Sequence, residues 1–391
     1  MGTEIKTRGS RVVMVLPAVL YLVAVVLSIL SQLPDLRQTQ LGTAFKFTWL
    51  LPLGFILARS PRSLYSSRLK IVYAAAFMFF TYCGLMELLT DRSYIGSDFN
   101  NVLIALVVGS VSMAVWRQYG SQRFLNGLVM LVFATTAVVG FVIYRDYLSG
   151  FSFARPHDIY TSKNSMAQIL LNSLLLMFAF RPRNRWALLL PVVVALFLVA
   201  EIFMLKSRAV MVGLVIMGVY LTVIYRNKYV MSGVVVAVIG IVVWTLCNVD
   251  MSRYFFDNVL LANRDMYNME SLSSERSTKV GAILSQIPGN FLTGLGNFYL
   301  DCFPVAILGQ YGLIGAAPVY VIVAMTGVVA WRYSRERTPV TAVALMLYIA
   351  LMINSIFEAQ APFGPGVKCF ALWMFMGFAM AEHREHRLFK M

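Results

Sequence analysis

The residues of this chain whose types and spacing are suited to chemistry are cations that lie close to long apolar runs. Lys206, Ser207 and Arg208 interrupt a segment that is otherwise apolar over 186–225. Such a segment is too long for one membrane span, so the three residues predict a tight turn between two spans. Cations near hydrocarbon are costly without a counter-charge. Either Glu201 is their structural partner, or Arg208, whose planar guanidinium can donate to two oxygens, holds a phosphate or diphosphate.

A second pair of cations lies in the longest polar interruption, residues 250–301. Ser273 is a predicted helix N-cap there, and Pro288-Gly289 is a predicted stop. Arg276 and Lys279 fall on the same face as the apolar residues between these limits. Because a surface helix normally turns its cations away from its apolar stripe, these two cations indicate an anion beneath the helix. The apolar stripe consists of Val280, Ile283, Leu284 and Ile287.

Two carboxylates near the ends of apolar runs are candidate proton acceptors. Asp301 precedes the run that begins at residue 303, where it is either a helix cap or a general base. Glu358 is either one half of an ion pair with Lys368 or a second candidate base.

His157 belongs to a polar segment, residues 144–164, that also carries Arg155. Tyr and Phe residues alternate with polar ones in this segment. Such aromatic side chains either contact sugar rings, which have an apolar face and a hydroxyl edge, or form the aromatic belt of a membrane interface. Asn164 opens the next apolar run and is either a helix cap or a substrate ligand.

Glycines lie on both sides of the start of the run at residue 303. Gly294 and Gly296 allow the backbone to turn closely before it. Gly312 and Gly315 lie three residues apart within the run and predict close packing against another helix. No strand precedes these glycines, so they do not predict a nucleotide-binding loop.

These residues must be positioned by membrane helices, because the composition is that of a membrane protein. Hydrophobic residues make up 59% of the 391 residues and charged residues 13%, whereas charged residues make up about a quarter of soluble domains. The sequence predicts an all-α polytopic membrane protein of about twelve transmembrane helices, with one long outer loop containing short helices. We divide it into spans one to nine (1–248), a loop domain (249–302), and spans ten to twelve with a cytoplasmic tail (303–391). The predicted spans are 12–30, 42–58, 71–90, 102–116, 124–143, 165–180, 186–204, 209–225, 229–248, 303–330, 339–356 and 366–381.

The distribution of charge predicts the orientation of these spans. The net charge is +15, and most of the 33 Lys and Arg residues fall in every second loop and at the two ends of the chain. This positive-inside pattern puts both termini in the cytoplasm and explains the charge without a nucleic-acid partner. The first run lacks a small-residue cleavage pattern, so it is predicted to be a span and not a signal peptide. Four cysteines without paired spacing indicate neither a disulfide framework nor a metal site.

The order of these features resembles the membrane polysaccharide family that contains O-antigen ligases and the O-antigen or exopolysaccharide polymerases. The likeness covers about residues 160–320, and the predicted spans extend it over the whole chain. Each motif is short, so the specificity of the likeness comes from order and spacing. The matching elements are Asn164 at the head of a span, Ser207-Arg208-Ala209, Arg276 in a long outer loop, Gly294-Leu295-Gly296, and Gly312-Leu313-Ile314-Gly315.

This resemblance implies an enzyme of the bacterial inner membrane with about a dozen transmembrane helices and one long periplasmic loop containing short helices. It implies that the donor is an oligosaccharide on undecaprenyl diphosphate. It implies that Arg208 and Arg276 hold the diphosphate, and we expect Lys206 or Lys279 to assist them. The leaving group is already a diphosphate that guanidinium groups can stabilise, so the reaction is expected to need neither a metal nor another cofactor. The implied partners are the lipid-linked oligosaccharide, membrane lipid, and flippase and chain-length regulator proteins. Further substrate-binding residues are expected to be Asn164 and Arg155.

The chain departs from the family at one position. Many relatives have a His-Asn pair about eleven residues before the Gly-Leu-Ile-Gly stretch, and here these positions are Asp301 and Cys302. A carboxylate can also accept the hydroxyl proton, so Asp301, His157 or Glu358 is the base, or the arginines act alone. Loss of the histidine favours a polymerase over a ligase that transfers the glycan to lipid A-core. The alternative from another class is a lipid-linked oligosaccharide flippase or transporter, although the sequence shows no internal repeat.

Overall fold

The computed structural model describes residues 2–33, 36, 39–149, 163–182, 184–225, 276–364 and 366–388. These residues form helices and connecting turns, and no strand occurs among them. Several short apolar helices accompany four that are long and apolar enough to cross a membrane, namely Lys70–Leu89, Ser97–Tyr119, Gln122–Asp146 and Phe303–Ser334. The chain is therefore a multi-pass membrane protein, as its composition predicts.

We number the α-helices in chain order over the described residues. Short 3-10 helices extend or link several of them, at Pro61–Leu64, Ser67–Leu69, Met177–Ala179, Arg185–Leu188 and Pro288–Asn290. The α-helices are α1 Gly2–Leu30, α2 Gln40–Lys46, α3 Leu50–Arg59, α4 Lys70–Leu89, α5 Ser97–Tyr119, α6 Gln122–Leu148, α7 Lys163–Leu176, α8 Leu189–Met204, α9 Arg208–Tyr225, α10 Arg276–Gln286, α11 Phe303–Ser334, α12 Pro339–Ser355 and α13 Val367–Leu388.

The predicted spans correspond to these helices with two differences. The span predicted at 42–58 is divided into α2 and α3, with Trp49 at the junction. Trp49 is 1% exposed, and its indole Nε1 donates a hydrogen bond to Ser28 Oγ of α1 at 2.9 Å. A buried indole N–H needs such a partner, so this contact fixes the junction against α1. The span predicted at 303–330 is also interrupted, as described below, and the one predicted at 229–248 lies outside the described residues.

The centre of the bundle is built on the contact between α5 and α13. Helix α11 packs against both α4 and α12, and α12 in turn packs against α13. The axes of α5 and α13 approach closely because Gly377 faces the backbone carbonyl of Gly109, where any side chain would collide. Fully buried Tyr21 of α1 shares a 2.9 Å hydrogen bond with Ser112 of α5. This packed centre is the frame that positions the ends of the other helices.

Helix α11 is broken at Gly312, whose φ of 60° and ψ of −175° are not helical. The two parts fold back on each other, because the Tyr320 hydroxyl donates a hydrogen bond to the carbonyl of Pro304 at 2.5 Å. Two residues with that separation in a straight helix would be about 24 Å apart. The prediction that Gly312 is a helix-packing residue is therefore wrong, because its left-handed backbone creates the break. Gly315 does allow a close contact, with the ring of Tyr82 in α4.

The segment 290–297, which we call the strap, pairs with the backbone groups that the break in α11 leaves open. Unpaired backbone groups are costly in an apolar environment, so a broken helix needs such a partner. Two amides of the strap donate to carbonyls before the break, and two amides after the break donate to the start of the strap. These bonds run from Leu295 to Gly309 (2.8 Å), Gly296 to Gln310 (3.0 Å), Leu313 to Phe291 (2.7 Å) and Ile314 to Leu292 (3.2 Å).

Arg92, in the turn between α4 and α5, also holds the strap. Its Nη1 donates to Asn290 Oδ1 at 3.0 Å and to the carbonyl of Gly294 at 2.8 Å. The Tyr82 hydroxyl donates to the carbonyl of Thr293 at 2.7 Å. Arg92 is one of the cations on the predicted outer side that the charge pattern leaves unexplained, and these contacts give it a structural role.

Hydrogen bonds between helix termini define two ends of the bundle. At one end, which we call the site end, α7, α9, α11 and α13 begin around Glu358. At the other end, which we call the basic end, Arg117 at the close of α5 donates to the carbonyl of Ser63 after α3, at 2.7 Å. Thr338, which caps α12, donates there to Glu382 near the close of α13, also at 2.7 Å. The helices therefore alternate in direction, as multi-pass topology requires.

Candidate functional site

A chain of hydrogen bonds joins three helix heads and the α12–α13 connection at the site end. The Ser207 hydroxyl donates to Asn164 Oδ1 at 2.9 Å, and Asn164 Nδ2 donates to Glu358 Oε1 at 2.7 Å. Lys368 Nζ completes the chain with an ion pair to Glu358 Oε2 at 3.1 Å. This network fixes the heads of α7, α9 and α13 relative to one another. It joins Asn164, the turn at Ser207 and the Glu358–Lys368 pair, which are far apart in the sequence.

The Glu358–Lys368 ion pair is removed from water. The Lys368 side chain is 0% exposed and the Glu358 side chain 7%. The ion pair predicted from the sequence is thus confirmed. Both carboxylate oxygens already accept a hydrogen bond, one from an amide and one from an ammonium group, so few lone pairs remain for a substrate proton. This geometry favours a positioning role for Glu358 over the alternative role of a base.

Helix α7 supports the ion pair with a row of amide side chains. Asn172 Nδ2 donates to the backbone carbonyl of Lys368, and Gln168 Nε2 donates to Asn172 Oδ1 at 2.8 Å. Gln168 and Asn172 are 1% and 4% exposed. Asn164, Gln168 and Asn172 lie at intervals of four residues, which places them on one face of the helix. The four-residue spacing of these amide side chains is visible in the sequence and could have predicted the row, of which only Asn164 was predicted to be a site residue.

The turn predicted between two spans is confirmed at Lys206 and Ser207. Helix α8 ends at Met204, and α9 begins at Arg208. Lys206 adopts a left-handed φ of 51°, which closes the turn. Backbone amides one turn into α9 donate to the carbonyl of Ser207, so this residue is the cap of α9 while its hydroxyl reaches Asn164. The geometry of this turn does not require two cations.

Two helix N-termini and three cations meet at the Asn164–Ser207 hydrogen bond. Helix α7 begins at Lys163 and α9 at Arg208. Helix N-termini carry partial positive charge and open N–H donors, which suit an anion. Lys163, Lys206 and Arg208 are each half-buried there and add formal positive charge. The charge of nearby Glu358 is matched by Lys368.

Asp301 is brought to the same end of the bundle by the backbone. The amide of Phe303, the first residue of α11, donates to the carbonyl of Glu358 at 3.0 Å. The Tyr299 hydroxyl donates to Asp301 Oδ1 at 2.6 Å, a contact that the sequence analysis did not anticipate. The N-cap of α11 is Cys302, without a side-chain cap, so the predicted capping role of Asp301 is wrong. The alternative role of Asp301, as a general base, stays a prediction.

Helix α10 lies against the first part of α11. The absence of a side chain at Gly309 makes room for Ile283, and Ile287 is buried. Leu284 is 48% exposed and Lys279 is also exposed, so the buried stripe is narrower than predicted. Among the described α-helices, α10 packs mainly against α11. The predicted stop is confirmed, because a 3-10 turn starts at Pro288.

Several predicted site residues lie at or beyond the limits of the described chain. Arg276 is the first residue of α10, which places its backbone on the loop helix. Its predicted N-cap, Ser273, lies outside the described residues. The same holds for Arg155 and His157. Their predicted contributions to substrate binding and proton transfer stay predictions.

Glu201 does not neutralise the cations of the turn. Its side chain is 1% exposed, and neither carboxylate oxygen has a hydrogen-bond partner in the described part of the chain. The carboxylate lies against α6 at Gly140, where any side chain would collide with it. The structural alternative for Lys206 and Arg208, an ion pair with Glu201, is therefore wrong over these residues. The reason is that Glu201 faces a neighbouring helix and not the turn.

The arrangement can bind an anionic group at the heads of α7 and α9, with a carboxylate, Asp301, at the same end of the bundle. Over the described residues, no group of three or more His, Cys, Asp or Glu side chains is placed to hold a metal ion. Comparison with protein-family models finds no match to this chain, and comparison with curated proteins finds none either. The geometry of the site is therefore the basis on which a function is assigned.

Proposed function

We propose that the chain is a bacterial inner-membrane glycosyltransferase that polymerises oligosaccharide repeat units carried on undecaprenyl diphosphate. The observation that carries this proposal is the pairing of two helix N-termini through Asn164 and Ser207, with Lys163, Lys206 and Arg208 beside them. Oxygens of a diphosphate suit both the open N–H groups and a guanidinium. A lipid-linked diphosphate also accounts for a cationic site at the end of a membrane bundle.

In this proposal the chain has twelve spans, and the site end, together with the loop 249–302, faces the periplasm. The support is the opposite end of the bundle, which carries Arg59, Arg62 and Arg117 close to one another. A concentration of cations marks the cytoplasmic side of a membrane protein. In this proposal Lys206 and Arg208, which oppose that trend at the site end, contact the diphosphate.

The proposed reaction transfers a glycosyl group with loss of the lipid diphosphate. A hydroxyl oxygen of one lipid-linked unit attacks the anomeric carbon of another. The bond between that carbon and the phosphate oxygen breaks, and its electron pair leaves with undecaprenyl diphosphate. Arg208 and Arg276 stabilise the charge that develops on the leaving group, so no metal is required. Asp301 accepts the proton of the attacking hydroxyl, with Tyr299 holding its carboxylate.

Glu358 and Lys368 act in this scheme as positioning residues. Glu358 orients Asn164, which in turn accepts from the hydroxyl of Ser207 at the head of α9. A displacement of this head would move Arg208 from the diphosphate, and small displacements of binding groups reduce rates strongly. The ion pair is buried because it is a support under the site and not a part of its surface.

The test is chain extension by the purified chain in lipid nanodiscs that contain undecaprenyl-diphosphate repeat units. Product length and released undecaprenyl diphosphate are both measured. We expect Arg208→Ala and Arg276→Ala each to lower the rate by about 100- to 1,000-fold, as for other groups that stabilise a developing charge. Asp301→Asn should lower the rate by at least about 100-fold. Arg335→Ala, an exposed arginine at the basic end, is the matched control and should extend chains normally.

Unchanged extension in both arginine variants would refute the diphosphate clamp. The same assay separates polymerase from ligase when lipid A-core is supplied as a second acceptor. A polymerase joins repeat units to one another, whereas a ligase transfers them to lipid A-core. Formation of lipid A-core glycan without longer chains would replace the proposal with the ligase alternative.

A second candidate is a transporter of lipid-linked oligosaccharide, and one observation favours it. Glu201 is a buried carboxylate without a partner in the described chain, and ionisable groups inside a membrane bundle often mark proton relays. Movement of labelled lipid-linked oligosaccharide across a proteoliposome membrane, without new glycosidic bonds, would support the transporter. A Glu201→Gln variant that extends chains at the normal rate would oppose it.

A further inference from the structure

The connection between α12 and α13 carries Glu358 and is bonded to the heads of several helices. The side chain of Glu358 accepts from Asn164 at the head of α7, and its carbonyl accepts from the amide of Phe303 at the head of α11, at 3.0 Å. Gln360, two residues further along the connection, is bonded to the head of α5. The position of Glu358 is therefore set from several sides, and Gln360 supplies the contact on the side of α5.

Both ends of the Gln360 side-chain amide are bound to the first turns of α5. Its Oε1 accepts from Asn101 Nδ2 at 2.9 Å, and its Nε2 donates to Ser97 Oγ at 2.5 Å. Ser97 and Asn101 are four residues apart and lie on one face of the helix. Because its acceptor and its donor both bind the same helix, the Gln360 side chain fixes the distance between the connection and α5.

The contact between Gln360 and Asn101 is closely packed. A side chain at position 364 would collide with the amide of Asn101, so glycine at this position lets α5 and the connection approach each other. The carbonyl of Gln360 accepts from the amides of Phe363 and Gly364, at 2.8 Å and 2.7 Å, which closes a turn beside the helix. Because α5 belongs to the packed centre of the bundle, the connection is tied here to a rigid frame.

We propose that Gln360 is a positioning residue for the anion locus, the name we give to the heads of α7 and α9 joined by Asn164 and Ser207. One path of contacts runs from α5 through Gln360 into the connection that carries Glu358. It continues from Glu358 through Asn164 to Ser207, the cap of α9. Loss of the Gln360 contacts releases the connection from α5 and displaces the carboxylate that orients Asn164. The effect on catalysis rests on the proposed function, because it acts through Arg208, whereas the effect on the head of α9 does not.

The first test is amide hydrogen exchange of the full chain in lipid nanodiscs. The amides of Val210 and Met211 donate to the carbonyl of Ser207, at 3.1 Å and 3.0 Å, so their exchange reports on the head of α9. We expect Gln360→Ala to speed this exchange about fivefold, the effect of about one lost hydrogen bond. Asn101→Ala removes the same contact from the side of α5 and should have the same effect.

The matched control is Asn100→Ala, at the neighbouring position of the same helix. Asn100 is exposed, and its amide donates to the carbonyl of Gly96, one turn earlier, at 3.2 Å. This variant therefore measures the general effect of removing an amide side chain from the head of α5. Exchange at Val210 and Met211 should be unchanged in it.

The second test is chain extension in the assay described for the proposed function. We expect Gln360→Ala to lower the rate about tenfold when Arg208 is present, because small displacements of a binding group reduce rates strongly. In the Arg208→Ala background the same substitution should change the rate less than about twofold, because the group that it misplaces is gone. A general loss of stability would lower both rates by the same factor.

The two tests separate this inference from the proposed function. Equal exchange at the head of α9 in Gln360→Ala, Asn101→Ala and the unaltered chain would overturn the inference, whatever the activity of the chain. Faster exchange with the same fold-loss of extension in both backgrounds would overturn the positioning role and leave Gln360 a structural residue. Absence of extension by the unaltered chain would refute the proposed function instead, and the exchange result would still decide whether Gln360 positions the head of α9.

Discussion

Breaking the buried Glu358–Lys368 pair one residue at a time is expected to destabilise the protein more than removing both residues together. The perturbations are Glu358→Gln, Lys368→Met and the double variant. Each single variant leaves one charge without its partner at a site where the two side chains are 7% and 0% exposed. The double variant keeps an amide oxygen for Asn164 and an apolar side chain in place of Lys368, so it leaves no uncompensated charge.

The expected magnitude follows from the geometry of the pair. At the observed 3.1 Å, the attraction is about 5 kcal/mol for an effective dielectric constant of about 20. Removing one partner of a buried pair typically costs about 3–5 kcal/mol, whereas replacing both is close to neutral. We therefore expect each single variant to lose about 3–5 kcal/mol of unfolding free energy, and the double variant about 1 kcal/mol or less. The coupling energy between the two positions should then be about 5–9 kcal/mol.

The assay is equilibrium unfolding in mixed micelles, with helix content followed as denaturing detergent is added. The matched control is the ion pair between the sequence-adjacent residues Arg145 and Asp146. Their charged groups are 2.9 Å apart, and their side chains are 60% and 17% exposed. For Arg145→Gln and Asp146→Asn we expect a coupling energy below about 1 kcal/mol, because water screens that pair. A coupling of Glu358 to Lys368 as small as that of the control would refute the reasoning, since it would mean that water reaches the buried pair.

Three further predictions concern other parts of the bundle. Gly312→Ala should lower the free energy of unfolding by about 1–3 kcal/mol, because the backbone at Gly312 is left-handed. Gly281→Ala is the control: Gly281 is helical with open space around it, so this variant should raise the free energy of unfolding by up to about 1 kcal/mol in the same assay. Glu201→Met should raise the unfolding free energy at neutral pH by about 1 kcal/mol or more, because it removes a buried carboxyl group without a described partner and adds no polar atom that needs one; a loss of stability would show that the carboxyl group has a partner. Arg92→Gln should speed amide hydrogen exchange in the strap, residues 290–297, with no such change in Arg335→Gln; equal protection of the strap in both variants would contradict its anchoring role.

Local sequence signals predicted the helices and the turns between them. The interruption of an apolar run at Lys206 was enough to predict the α8–α9 turn, because a single span cannot be that long. Pro288 was enough to predict the end of α10, because proline cannot continue a helix. The Glu358–Lys368 pair was also predictable, since a buried acid needs a partner and Lys368 is near in sequence.

The contacts that build the candidate site could not be predicted in this way. Asn164 and Glu358 are 194 residues apart, and nothing in either segment indicates the other. The pairing of the strap with the two sides of Gly312 is likewise a contact between backbone groups, which carry no side-chain signal. Gly312 was misread because a glycine that permits close packing and one that permits a left-handed turn look the same in a sequence.

The pairing of the strap with the broken helix α11 has a consequence for chimeric proteins. Residues 291–297 complete the hydrogen bonding of 309–314, so the loop and the helix that follows it form one exchangeable unit. A graft that carries a foreign loop up to residue 302 would leave amides and carbonyls beside Gly312 open wherever the foreign backbone does not follow the path of the strap, whereas a graft of 288–315 would bring both halves of the pairing. The strap is synthesised before α11, so the partner groups already exist when the helix emerges. A loop swap in such a protein should therefore be designed with its downstream boundary inside α11.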